Sequence, residues 1–161
     1  MENKYSFNII VDTREQKPWA FASCNTIKKK LDTGDYSIEG LENVLCIERK
    51  NSVSEIANNI CEDRFKDEIK RMSNYFYKFI LLEFNLQDVL NYPRGSSVPS
   101  RLWNKIKIRP PYIIKFLTEL QTIHNIHVLF CDNPIAAEEM AFSIIKRVNE
   151  LYTKNKELPY Q

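Results

Sequence analysis

Four short stretches of this 161-residue chain combine acids and bases at spacings that could do phosphate chemistry. They are Val11-Asp12-Thr13-Arg14-Glu15, Gly34-Asp35-Tyr36, Ile47-Glu48-Arg49-Lys50, and Glu55. Glu48 and Lys50 stand two apart on an expected strand, so they project from the same face. Asp35 begins the preceding strand of the same hairpin. A turn within the intervening residues can bring it beside Glu48, gathering two carboxylates and an amine at the hairpin tip. Such a set suits a hard divalent cation, Mg²⁺ or alternatively Mn²⁺, held by carboxylate oxygens and water. The metal would polarise a phosphate and lower the pKa of an attacking water, while the lysine orients that water or neutralises charge developing on phosphorus. The bland alternative makes Asp35 a turn residue and Glu48–Lys50 a surface ion pair worth under about 1 kcal/mol. Against it, the polar triplet Glu48-Arg49-Lys50 ends an otherwise apolar strand.

The elements that must position these residues alternate in type. Phe7 to Val11 reads as a buried strand, and Asn25 to Leu31, with Ile27 and Leu31 among lysines, as a half-solvated one. Thr33 to Ile38 and Val44 to Glu48 form a hairpin about Glu39-Gly40. From Ser52 the period changes: Val53, Ile56, Ala57 and Ile60, then Phe65, Ile69 and Met72 on a slightly rotated stripe, predict one helix of about five turns. Tyr75 to Phe84 follows as a buried strand. Asn91 to Pro111 is expected to be irregular, given Pro93, Gly95, Pro99, Pro110 and Pro111. Ile113, Phe116, Leu117 and Leu120 mark a helix, His127 to Phe130 a strand. A last helix is capped by Asp132 or Asn133 and opens at Pro134, with Ala137, Met140, Ala141, Ile144, Ile145 and Val148 on its buried face. The order predicts a single α/β domain over residues 1–161, a mixed sheet flanked by helices.

Composition sets outer bounds. Hydrophobic residues at 43% and charged residues at 27% exclude a disordered, collagen-like or linker chain. A net charge of +2 does not by itself mark a nucleic-acid binder, so that reading needs local clustering. The four cysteines show no metal-type pairing, and reduced buried thiols are expected. The longest apolar run, Phe79 to Leu82, is far below the roughly 20 residues of a membrane span, and the start carries no secretory signal. A cytoplasmic protein is expected, of bacterial, phage or mobile-element type, or a nuclear one if the source is eukaryotic or viral. His124 and His127 are expected to be structural, and no serine has the partners of a hydrolase triad.

Asp-x-Arg-Glu, then Gly-Asp-Tyr, then Glu-Arg-Lys ahead of an amphipathic helix resembles the nuclease domain of the XPF family of structure-specific DNA endonucleases, relatives of the restriction-enzyme-like PD-(D/E)xK superfamily. The resemblance implies a restriction-endonuclease-like fold with Asp35 and Glu48 as metal ligands and Lys50 as the catalytic lysine. It makes Arg14 and Arg49 supports of the site or phosphate holders, and Glu15 an accessory acid. Arg64 stands where the family carries a helix arginine and joins the DNA-binding set. Two departures are visible: the helix acid is Glu55, one position later than the family's aspartate, and the family's tandem helix-hairpin-helix module does not follow the last helix.

DNA grip would then come from this domain, from an accessory DNA-binding protein, or from both. From Val89 to Thr118 there is no acidic residue, while Arg94, Arg101, Lys105, Lys107, Arg109 and Lys115 are basic and Tyr92, Trp103 and Tyr112 lie among them. Cations neutralise phosphates and aromatics stack on unpaired bases, so the segment is a candidate DNA-contacting arm. The expectation is a Mg²⁺-dependent endonuclease for flaps, forks or junctions in recombination or repair. It is expected to be a homodimer, from family precedent and the apolar face of the last helix. The rival is a catalytically silent DNA-binding or scaffold subunit of a nuclease heterodimer.

Overall fold

The computed structural model describes residues 5–155. Its centre is a six-stranded mixed sheet in the order β2-β1-β3-β4-β5-β6. The strands are β1 (Ile9–Val11), β2 (Thr26–Lys28), β3 (Tyr36–Ile38), β4 (Leu45–Lys50), β5 (Tyr77–Leu82) and β6 (His127–Phe130). β3 runs antiparallel to both β1 and β4, whereas β4, β5 and β6 are mutually parallel and carry helices in their crossovers. The expected mixed sheet flanked by helices is therefore the observed architecture.

Side-chain alternation along β4 divides the core. Cys46 packs with α1 (Val53–Asn59), α2 (Asp63–Met72) and α4 (Pro110–Thr122) on one face. Leu45 and Ile47 pack with Trp19, Phe21 and α5 (Pro134–Asn155) on the other. Glu48 and Lys50 continue the Cys46 side, and Arg49 continues the Leu45 side.

The expected single helix from Ser52 to Met72 is two. The chain tightens at Ile60–Glu62, where the Cys61 and Glu62 N–H groups donate back only three residues, to Asn58 O and Asn59 O. The rotated apolar stripe was the trace of this bend: each half turns its own apolar residues inward. A short α3 (Leu86–Asn91) was not foreseen, although Asn85 and Asp88 form a reciprocal capping box at its start. The segment expected to be irregular holds a 3-10 helix at Ser100–Lys105. Pro110 and Pro111 open α4, where a missing N–H costs nothing. Of the two cap candidates for α5, Asn133 serves, accepting the Ala136 N–H at 3.0 Å. On α5, Ala137, Ala141, Ile145 and Val148 pack against the chain's own sheet, whereas Met140, expected on that buried face, is exposed.

Gly34 sets the approach of Asp35 to β4. Its φ is +83°, and a Cβ there would lie 2.6 Å from Cys46 Sγ and 3.0 Å from Ile47 O. The close approach lets the Asp35 N–H donate to Ile47 O at 2.8 Å. Gly34→Ala is expected to cost about 1–3 kcal/mol, combining backbone strain with the clash. Thermal unfolding should show a fall of about 2–4 °C for each kcal/mol lost.

Candidate active site

The site forms at the open end of the β3–β4 hairpin. That corrects the expectation of the tip: the turn after Ile38 lies at the opposite end, while Asp35 precedes β3 and Glu48 and Lys50 end β4. Asp35 Oδ2 accepts the Arg49 backbone N–H at 2.8 Å, which fixes the carboxylate beside β4. Glu48 and Lys50 are 5% and 4% exposed and bond to each other, Lys50 Nζ to Glu48 Oε1 at 2.7 Å. The same ammonium lies 3.5 Å from Glu55 Oε1 and 4.5 Å above the Phe65 ring of α2.

The electrostatics are those of a crowded pair of acids. Burial raises Asp35 to about 7; the Arg49 N–H and the Lys50 charge oppose the rise, while Glu15 and Glu68 add to it. Burial and the Asp35 charge push Glu48 well above the usual carboxylate range. Burial acts to discharge Lys50, but Glu48, Glu55 and Asp35 outweigh it and keep the ammonium protonated. Two hard oxygen donors that repel each other are what a cation needing only one or two carboxylates relieves. Among the described residues no three His, Cys, Asp or Glu side chains converge on one point. The donor set thus fits a partly hydrated ion better than an all-protein cage.

Behind this cluster stands a second ion pair, on the other face of β4. Arg49 donates from Nε to Glu83 Oε1 at 2.6 Å and from Nη2 to Glu83 Oε2 at 3.1 Å. Its Nη1 donates to Lys17 O and lies 3.5 Å from Glu15. Trp19 Nε1 donates to the same Glu83 at 2.8 Å, and Trp19 stacks on Tyr36 with ring centroids 4.5 Å apart. Arg49 is therefore engaged by protein groups and holds the Glu15–Lys17 loop against β4. Arg14 grips Asp12 by Nε (2.6 Å) and Nη2 and donates to Leu31 O, leaving its side chain 57% exposed. A cleft of about 330 Å³ opens over Arg14, Glu15, Lys17, Arg49, Asn51 and Glu55.

Glu83 and Glu68 escaped the sequence reading, whereas Asp12 and Glu55 were in view without a settled role. Glu83 ends an apolar strand, as Glu48-Arg49-Lys50 does, and that signal could have found it. Asp12 is 1% exposed and accepts from the Arg14 and Leu31 N–H groups, so it ties the loop after β1. Glu68, half-buried on α2, had no distinguishing mark among its charged neighbours, yet its charge acts on Asp35, Glu48 and Arg14. Glu55 takes a definite place, accepting the Asn51 N–H at 2.8 Å while facing Lys50.

The DNA-binding candidates lie apart from this cluster. Arg64, with a side chain 81% exposed, meets Glu62 at 3.7 Å. Arg94, Arg101, Lys105, Lys107 and Arg109 are exposed. The segment is packed rather than free, because Tyr92 is buried and Ile106 and Ile108 rest on the core. Tyr92 is thus withdrawn from base stacking, and half-buried Trp103 donates its Nε1 to Val98 O. The two histidines make structural contacts, His124 with Ser73 Oγ and His127 stacked on Phe79.

Residues 11–144 match the ERCC4 domain. The chain belongs to the ERCC4 domain family. Its fold is that of XPF from Aeropyrum pernix, with a TM-score of 0.67 at 20% identity over 92% of this chain and 68% of that one. The structure of XPF from Aeropyrum pernix in complex with DNA gives a TM-score of 0.65 at 20% identity over 89% of this chain and 66% of that one. Both neighbours extend beyond the matched region by about a third of their length. A search of curated proteins gave no match. The resemblance read from Gly-Asp-Tyr and Glu-Arg-Lys is thereby confirmed at the level of family and fold.

Two outcomes test the site's physics. Glu83→Ala removes the main partner of the half-buried Arg49 guanidinium and the acceptor of Trp19 Nε1, and is expected to lose about 1–3 kcal/mol in denaturant unfolding. The folded pKa of Asp35 exceeds the unfolded value near 3.9, so the native state binds more protons between roughly pH 4 and 7. Stability without metal should therefore fall as pH rises through that window. Asp35→Asn is expected to raise the metal-free Tm at pH 8 by a few degrees, and Mg²⁺ to raise the wild-type Tm but not the variant's. A variant Tm at or below wild type at pH 8 would contradict the crowding.

Proposed function

We propose that this ERCC4 domain is a metal-dependent DNA endonuclease that cuts flaps, forks or junctions during recombination or repair. The observation that carries this reading is the gathering of Asp35, Glu48 and Lys50 at the end of β4 in a chain of this family. A fold neighbour solved with DNA adds support for the substrate class. Asp35 and Glu48 are the residues that would hold Mg²⁺, or Mn²⁺ in its place. When bound there, the ion supplies a Lewis acid for the phosphate and a water of lowered pKa.

The chain's own residues do the rest. Lys50, kept charged by Glu48 and Glu55, presents an ammonium to the attacking water or to oxygen charge growing at phosphorus. Glu55 positions that lysine. Arg49, paired with Glu83, holds the cleft wall in place, and the exposed side of Arg14 faces solvent beside it, where a phosphate can be met. The exposed cations around the cleft supply the sequence-independent grip on DNA.

The same proposal includes a homodimer, supported by large apolar side chains left exposed on β6 and near it in sequence: Ile123, Phe130, Ile135 and Met140. It also includes an accessory DNA-binding protein and a reducing compartment, cytoplasmic or nuclear. Cys46 and Cys131 are the buried thiols expected, whereas Cys61 is exposed and Cys24 half-buried, and such free thiols suit a reducing compartment.

A panel of duplex, flap, fork and four-way substrates with Mg²⁺ tests the activity. Cleavage should favour the branched forms, and Asp35→Asn and Glu48→Gln should each lower kcat at least about a hundredfold, as for loss of a group acting on transition-state charge. Equal cleavage by wild type and both variants would place the chemistry elsewhere, and none by any would favour the silent scaffold.

A further inference from the structure

The basic segment does not act as one patch. The cleft over Arg14, Arg49 and Glu55 has a neighbour of about 280 Å³, and the two share Asn51. Ser52, Ser54, Arg94 and Ser96 line the second one. A third cleft of about 520 Å³ follows, lined by Lys105 and Lys107, and it shares Tyr92 with the second. The three thus lie in succession beside α1, whose seven residues span about 10 Å. Along a strand rising 3.4 Å per nucleotide, that is about three phosphates.

The track's chemistry is that of an anion path. Arg94, Lys105 and Lys107 are exposed and have no carboxylate partner among the described residues. The Ser54 hydroxyl in the second cleft is buried and unpartnered. The four acids on the path are engaged: Glu15 by Arg49, Glu55 by Lys50 and the Asn51 N–H, Asp88 by the Asn85 N–H at the start of α3, and Glu62 by Asn59 Nδ2 and Arg64. Arg101 and Arg109 line neither cleft. Clefts of a few hundred Å³ are on the scale of small-molecule pockets, a size that suits the bases and phosphates of an unpaired strand.

We propose that this track along α1 holds a single DNA strand leading away from the scissile phosphate, with Arg94, Lys105 and Lys107 meeting its phosphates. The proposal rests on the endonuclease reading and names the form of DNA that reaches the site. Fluorescence anisotropy with a labelled oligodeoxythymidine in EDTA tests it on the full chain without cleavage. Arg94→Ala/Lys105→Ala/Lys107→Ala is expected to flatten the slope of log K against log salt by about two, some 0.7 for each phosphate left without its cation. Arg101→Ala/Arg109→Ala, off the track, should flatten it by less than half as much, and a blunt duplex of equal length should compete at least tenfold more weakly. Equal flattening by both variants, no flattening by the triple variant, or equal competition by duplex would overturn the track. If the track binds as stated but no substrate is cut, the endonuclease reading fails and the track stands.

Discussion

Two carboxylates and an ammonium share the end of a strand that lies between two others in the sheet, and most of the local structure follows from that constraint. Charge so deeply placed is tolerated only when paired and hydrogen-bonded. Lys50 neutralises Glu48, Glu55 flanks Lys50, the Phe65 ring faces its ammonium, and the Arg49 N–H satisfies one Asp35 oxygen. Such an arrangement is poor economy for stability, since well-packed apolar side chains would serve as well or better. Its persistence beside a cleft is what chemistry, rather than folding, asks of a protein.

The parity of β4 then separates two jobs. Glu48 and Lys50 point to the face covered by α1 and α2, where they meet each other and Glu55. Arg49, between them, points to the α5 face, where Glu83, Trp19 and Tyr36 form a satisfied network. One face carries acids that burial raises, and the other carries a pair that locks the strand end and its loop. Gly34 completes the geometry by allowing β3's leading residue to lie against Ile47 without a side chain between them. Membership of the ERCC4 family explains the fold, but activity is argued from the site, because a fold alone does not fix it.

Much of this was legible in the sequence. Alternation and β-branching marked the strands, and the apolar strand ending in Glu-Arg-Lys marked the site, because no packing reason places three charges there. What was not legible depended on tertiary contacts. The split between α1 and α2 has no proline or glycine to announce it, only a shift of stripe between Ile60 and Phe65. α3 is six residues long, too short for periodicity to show, though its cap residues were in view. Arg49 resembled a phosphate ligand because its partner Glu83 is 34 residues away, and Tyr92 resembled a stacking platform because its burial is decided by the core it joins. The tip was favoured over the open end because Asp35 and Glu48 were placed by their separation, without the direction in which the turn folds.

Burial loads a proton onto Asp35 near neutral pH, beside a Glu48 paired with Lys50, and a divalent cation held by the two acids would displace that proton. Isothermal titration of Mn²⁺ or Mg²⁺ into the wild-type chain near pH 6.5, repeated in buffers of different ionisation enthalpy, measures that exchange directly, since a cation bound by carboxylates must displace their protons. Binding is expected with net proton release that shrinks as pH rises above 8, and Glu48→Gln is expected to abolish it. Absence of binding, or binding with no proton release that Glu48→Gln leaves unchanged, would contradict the exchange.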